Sequence, residues 1–178
     1  MFKNIIIFLI LLLFTSCSYI NPEVNMKNFK KVSEDKASLV KKGRFYKYCS
    51  RCENSLLDNY KTNHIAIKGN KISQYCSLHC LAGHLKNSKN ITNPRVIDTN
   101  NLKFINVEDA FYVVDSDMPA TRSKVSKYAF SSLGEAKKFE EKYDGDIVNF
   151  YKALDIARED FKKEETILEK LYSLIPFI

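Results

Sequence analysis

Four cysteines in two tight pairs constrain this chain more than any other feature. Cys49-Ser50-Arg51-Cys52 comes first, and Cys76-Ser77-Leu78-His79-Cys80 follows after a stretch with strand and turn signals. A Cys-x2-Cys pair on a tight turn presents two thiolates to one ion, and an i, i+4 pair presents two more from one helix face. Knuckle, hairpin and helix start together predict a treble-clef-like cradle. Thiolates select soft or borderline ions, Cu(I) or zinc, over calcium or magnesium. The same residues leave two alternatives open: a pair of structural disulfides, or a thiol redox pair at Cys49 and Cys52.

The fifth cysteine, Cys17, ends a different signal. The chain opens "MFKNIIIFLILLLFTSC", with one Lys, an apolar run from Ile5 to Phe14, then small residues and Cys17. This is the order of a secretory signal peptide over residues 1–16, and the apolar run is short for a membrane span. Phe14-Thr15-Ser16-Cys17 matches a bacterial lipobox, with Phe where Leu is more usual, so Cys17 is expected to carry lipid; an uncleaved single-pass anchor is the alternative. Each buried acyl methylene contributes about 0.8 kcal/mol, so several chains anchor firmly. Either way the rest of the chain is expected at a membrane in the cell envelope, facing the periplasm. Ser18 after the lipidated Cys points to the outer membrane rather than the inner. The net charge of +7 then reads as a solvated surface facing anionic lipid or an acidic partner rather than nucleic acid.

Residues 17–44 mix Lys, Asn and Ser with few large apolar side chains and are expected to form a lipidated, flexible tether, with a short helix near Glu34–Val40. From Phe45 the pattern becomes α+β. Ile65–Lys68 and Ile72–Cys76 read as strands joined at Gly69-Asn70, Ser77 as the N-cap of a helix through Leu85, and the residues after Pro94 as a third strand. The order then repeats: strands in "DAFYVVDS" and "KVSKYAFSS", a helix over "LGEAKKFEEKY", and a strand in "GDIVNF". Laying Cys76-Ser77 over Phe130-Ser131 brings Ala82 onto Ala136 and Leu85 onto Phe139. Two small related strand–strand–helix–strand subdomains are therefore expected, a Cys-rich metal-binding one over 45–100 and a second over 101–150. Residues 151–178 are expected to form a C-terminal amphipathic helix whose apolar side includes Leu154, Ala157, Phe161 and Ile167, packed on its own domain.

Further candidate ligands are few. His64 precedes the first strand and is placed as a ligand or as a support for one, whereas His79 and His84 read as surface or capping residues. Met118, in "SDMPATRS", offers a thioether suited to cuprous copper, although a lone loop methionine also serves packing. There is no glycine-rich phosphate loop and no Ser/His/Asp signature, and Asp115 and Asp117 read as loop-edge charges. No enzyme is read from the residues.

The stretches "CSRCENSLLDNYKTNHIAIKGNKISQYCSLHC" and "AFYVVDSDMPATRSKVSKYAFSSLGEAKKFEEKYDGDIVNF", with the lipobox, resemble the NosL family over about residues 45–160. The resemblance implies a membrane-anchored, copper-binding lipoprotein that holds Cu(I) and hands it on for nitrous oxide reductase maturation, with help from an associated ABC-transporter complex. It also implies paired strand–strand–helix–strand subdomains. Cys49, Cys52, Cys76, Cys80 and His64 match family positions. Two family methionines do not: Cys52 is followed by Glu53-Asn54 where the family reads Gly-Met, and Arg122 stands where a second methionine is usual. An all-thiolate or Cys/His site holding zinc is the alternative these departures leave open.

Overall fold

The computed structural model describes residues 26, 28–86 and 92–173. Cys17, the expected signal segment and the apolar end at residues 174–178 lie outside the described residues. No helix among the described residues is long and apolar enough to cross a membrane.

The first sheet contains β1 (His64–Lys68), β2 (Lys71–Tyr75), β3 (Thr92–Ile97) and β4 (Phe104–Asn106), in the order β2-β1-β3-β4. The β1–β2 hairpin closes at Gly69-Asn70 with Lys68 opposite Lys71, and Gly69 takes φ +56, which glycine adopts without a Cβ clash. Helix α1 (Leu78–Lys86) follows β2. The second sheet contains β5 (Phe111–Val114), β6 (Lys127–Phe130) and β7 (Asp146–Val148), in the order β6-β5-β7, with α2 (Leu133–Tyr143) between β6 and β7. In both sheets the first strand of the repeat is flanked by the second and by the strand that follows the helix. The weak sequence repeat is thus a repeat of topology.

One strand moves the expected boundary. β4 lies beyond residue 100, yet its Phe104 pairs with Ile97 and its Asn106 with Arg95. The first sheet therefore extends past the expected split at 100/101. The run is only three residues and carries too little alternation to announce itself as a strand.

A buried aspartate fastens the two sheets at the end of β3. Buried Asp98 accepts hydrogen bonds from the backbone N–H groups of Asn100, Asn101 and Ser131, while the Thr99 N–H donates to the Ala129 carbonyl.

The C-terminal helix α3 (Phe150–Ser173) packs against α1 and β5, so it touches both halves of the repeat. Ala153, Leu154, Ala157 and Phe161 are buried as the periodicity expects, whereas Ile167, expected on the same apolar side, is exposed. Small residues let the helices approach closely. A Cβ on Gly83 of α1 would lie 2.6 Å from the Phe161 ring.

The expected tether is shorter than residues 17–44. Phe29 packs against Tyr128, Phe139 and Tyr143, and Val32 is buried with its N–H bonded to the Leu57 carbonyl. The Ser38 N–H donates to the Tyr60 hydroxyl and the Val40 N–H to the Gln74 side chain. Residues 29–40 therefore lie on the folded body, and the helix expected near Glu34–Val40 is a single 3-10 turn, Glu34–Lys36, followed by extended backbone at Ala37. The polar composition hid two apolar anchors, and bonds to the body take the place of helical ones.

Candidate metal centre

The first sheet's edge and the start of α1 build the centre. Tyr48 and Ser55 form an isolated antiparallel bridge that closes the loop carrying Cys49 and Cys52. Inside it the Cys49 N–H donates to the Asn54 carbonyl at 2.8 Å, and the Glu53 N–H to the Cys49 carbonyl at 3.2 Å. The loop docks on β2 through the Ser50 N–H to the Gln74 carbonyl and the Gln74 N–H to the Ser50 hydroxyl. Cys76 follows β2 directly. Ser77 caps α1 as the sequence expects, its hydroxyl accepting the Cys80 N–H at 3.3 Å, so the cap that starts the helix also sets the position of Cys80.

These pieces bring the four Sγ atoms within 4.8 Å of one another. Cys52 Sγ lies 3.5 Å from Cys76 Sγ, and Cys76 Sγ lies 3.7 Å from Cys80 Sγ. The four are free thiols rather than disulfides. An ion at about 2.3 Å from each of four sulfurs in a tetrahedron spaces them roughly 3.8 Å apart, so the set fits one soft ion. Cys49, Cys76 and Cys80 are buried among Leu56, Leu78, Leu81 and Ala157, and Cys52 is partly exposed. One side of the cradle opens to solvent at Cys52.

Hydrogen bonds from Cys52, Cys76 and Cys80 hold the Cys49 thiol far below the ordinary range. The same contacts, led by the one to Cys49, push Cys76 and Cys80 far up. Cys52 is raised by Cys49 and lowered by Cys76 and Cys80, and it settles at about 7. Lys30 and Lys41 stand nearby. Burial lowers both amines, while the nearby Cys76 opposes this at Lys30 and Cys49 opposes it at Lys41. Sequence reading overlooked these two cations. Only the basic run at Lys41-Lys42-Gly43-Arg44, just ahead of the first Cys pair, hinted at them.

The structure does not bring His64 or Met118 to the sulfurs. His64 is fully buried, with Nδ1 3.0 Å from the Thr62 carbonyl and Nε2 3.2 Å from the Tyr112 hydroxyl. A carbonyl only accepts, so Nδ1 carries the proton and Nε2 accepts from Tyr112. Both ring nitrogens are thus engaged, and burial lowers the imidazole from its ordinary value to about 4. Met118 is buried with Val113, Tyr128, Phe130 and Phe139 and serves packing. His79, expected at the surface, is buried instead: its Nε2–H donates to Glu164 of α3 at 2.8 Å. His84 lies edge-on to Tyr75.

The NosL family model matches residues 47–159, which span both sheets, all four clustered cysteines and the first turns of α3. The chain belongs to the NosL family. A solved structure, the copper chaperone NosL from Shewanella denitrificans, is similar at 20% identity and a TM-score of 0.49, covering 68% of this chain and 93% of that one. No curated protein matches the chain.

The three residues that depart from the NosL pattern have definite places. Glu53 holds φ +60, a left-handed conformation that suits the glycine usual there. Asn54 is exposed and contributes its backbone carbonyl to the loop. Arg122, also at positive φ, reaches Glu164 of α3 at 3.4 Å, so it ties the loop before β6 to the last helix.

Proposed function

We propose that this NosL-family chain is a thiolate metal carrier that holds Cu(I) on Cys49, Cys52, Cys76 and Cys80 and releases it to a protein acceptor. The observation that carries the reading is the cradle itself: four free sulfurs within 4.8 Å, three buried and Cys52 at the surface. Buried thiolates hold a soft ion out of water, and an exposed one gives an acceptor thiolate a point of attack. Exchange then proceeds by replacing ligands one at a time, and no group on the protein makes or breaks a bond to carbon. In this reading Cys17 carries the lipid that holds the chain in the envelope, facing the periplasm. The acceptor is nitrous oxide reductase or its associated ABC-transporter maturation complex, as the family resemblance implies.

A second reading has a specific observation behind it. Spacings of 3.5 and 3.7 Å suit a closed tetrahedron, the geometry of structural zinc, which adds on the order of 10 kcal/mol or more to a small fold. Anaerobic titration of the reduced chain with Cu(I) against a competing chelator, with zinc in parallel, separates the two. The carrier reading expects one saturable Cu(I) site that outcompetes zinc and yields copper to an acceptor dithiol. Tighter zinc binding with no copper transfer would establish the structural role instead.

A further inference from the structure

The wall of the cradle at Cys49 is also the wall of a cleft of about 590 Å³. Lys41, Arg44 and Arg51 line it, together with Phe45 and Tyr48. The two rings are among the most exposed large apolar groups described, at 65% and 45%.

None of the three cations is matched by a carboxylate among the described residues. The Lys41 amine donates to the Tyr48 carbonyl at 2.6 Å, Arg44 lies over the Phe45 ring, and Arg51 is stacked on Phe161 at 4.3 Å. Arg51 is also held by α1, since a Cβ at Gly83 would lie 2.5 Å from its Nε. Two of these charges are therefore fixed in direction. Glu53 is the one acid among the lining residues, and it sits on an exposed loop.

We infer that this cleft docks an acidic, extended peptide segment of the protein that gives or receives the metal ion. Carboxylates of such a segment would meet Lys41, Arg44 and Arg51, and an apolar side chain would cover Phe45 and Tyr48. Fixed, unmatched cations favour an anionic partner and speed its approach. The concave shape admits a chain, whereas a bilayer surface reaches only the rim. The placement brings the partner's ligands to the side of the cradle where Cys49 lies, along the loop that carries Cys52 between Arg51 and Glu53. The inference rests on the metal-carrier reading, and measuring docking on the metal-free chain lets its failure be told from a failure of that reading.

The test uses the full chain, reduced and free of metal, and a short alternating Glu–Leu peptide labelled with fluorescein. Anisotropy should show saturable binding that weakens as salt is raised, while a Lys–Leu peptide of the same length should not bind. Arg44→Glu should weaken binding about tenfold, and Phe45→Ala should weaken it with no change in Cu(I) affinity. Both side chains are exposed, so neither variant endangers folding. Binding unchanged in both variants would overturn the inference. So would displacement of the peptide by phosphatidylglycerol vesicles but not by neutral ones, which would assign the patch to a lipid surface. Loss of Cu(I) affinity in Arg44→Glu without loss of peptide binding would show that the charge serves only the thiolates.

Discussion

At the residue scale, the division of labour among the soft and imidazole groups is sharp. Cys52 is the one partly exposed sulfur of the four in the cradle, so replacing it removes a ligand without opening the core. Four-ligand zinc sites bind with about 10–16 kcal/mol, so one thiolate carries about 3 kcal/mol, on the order of a hundredfold in affinity. Cys52→Ser is therefore expected to lose that much metal affinity in chelator competition while its thermal unfolding without metal stays close to wild type. His64 does the opposite. Its folded-state value near 4 lies below the ordinary 6.5, so the unfolded chain binds the proton more readily. The stability this gives is complete above about pH 6.5 and is lost as pH falls through about 4, amounting to about 3 kcal/mol. Denaturant unfolding across that range should show the loss in the wild type and not in His64→Asn, which should still bind one ion with unchanged affinity. Glu53 strains the metal loop at φ +60, and Glu53→Gly is expected to raise stability by about 1 kcal/mol in denaturant melts.

At the scale of elements, the sequence was readable where structure is dictated locally. Gly69-Asn70 marks the hairpin, Ser77 marks the start of α1, and the two Cys pairs mark the cradle, each from neighbours a few residues away. It was unreadable where the deciding partner is distant. The Nε2 partner of His64 is Tyr112, in the second sheet. Phe29 and Val32 look like stray apolar residues until Tyr128 and Leu57 are placed beside them. The seam between α1 and α3 is of the same kind. Gly83 reads as a weak spot in a helix, yet a Cβ there would meet Arg51 and Phe161 at 2.5 and 2.6 Å. Gly83→Ala is accordingly expected to destabilise the protein by about 1–3 kcal/mol, despite alanine's better helix propensity, and calorimetry would check it.

At the scale of the whole molecule, the cradle is part of the core that joins the two sheets. Cys49, Cys76 and Cys80 share one apolar cluster with Tyr112 of β5 and with Ala153 and Ala157 of α3. An ion bound there ties the metal loop, α1 and the packing around them into one cooperative body. A ligand that binds only the folded state contributes about 2.7 kcal/mol at a hundredfold excess over its dissociation constant, or about 5–10 °C for a chain of this length. Cu(I) or zinc should produce a shift of that size. The most direct measurement of the account is X-ray absorption at the metal edge of the copper-loaded chain. A shell of sulfur alone at about 2.3 Å, the same in His64→Asn and weakened in Cys52→Ser, is the predicted result. Imidazole scattering that disappears in His64→Asn would contradict the four-sulfur centre.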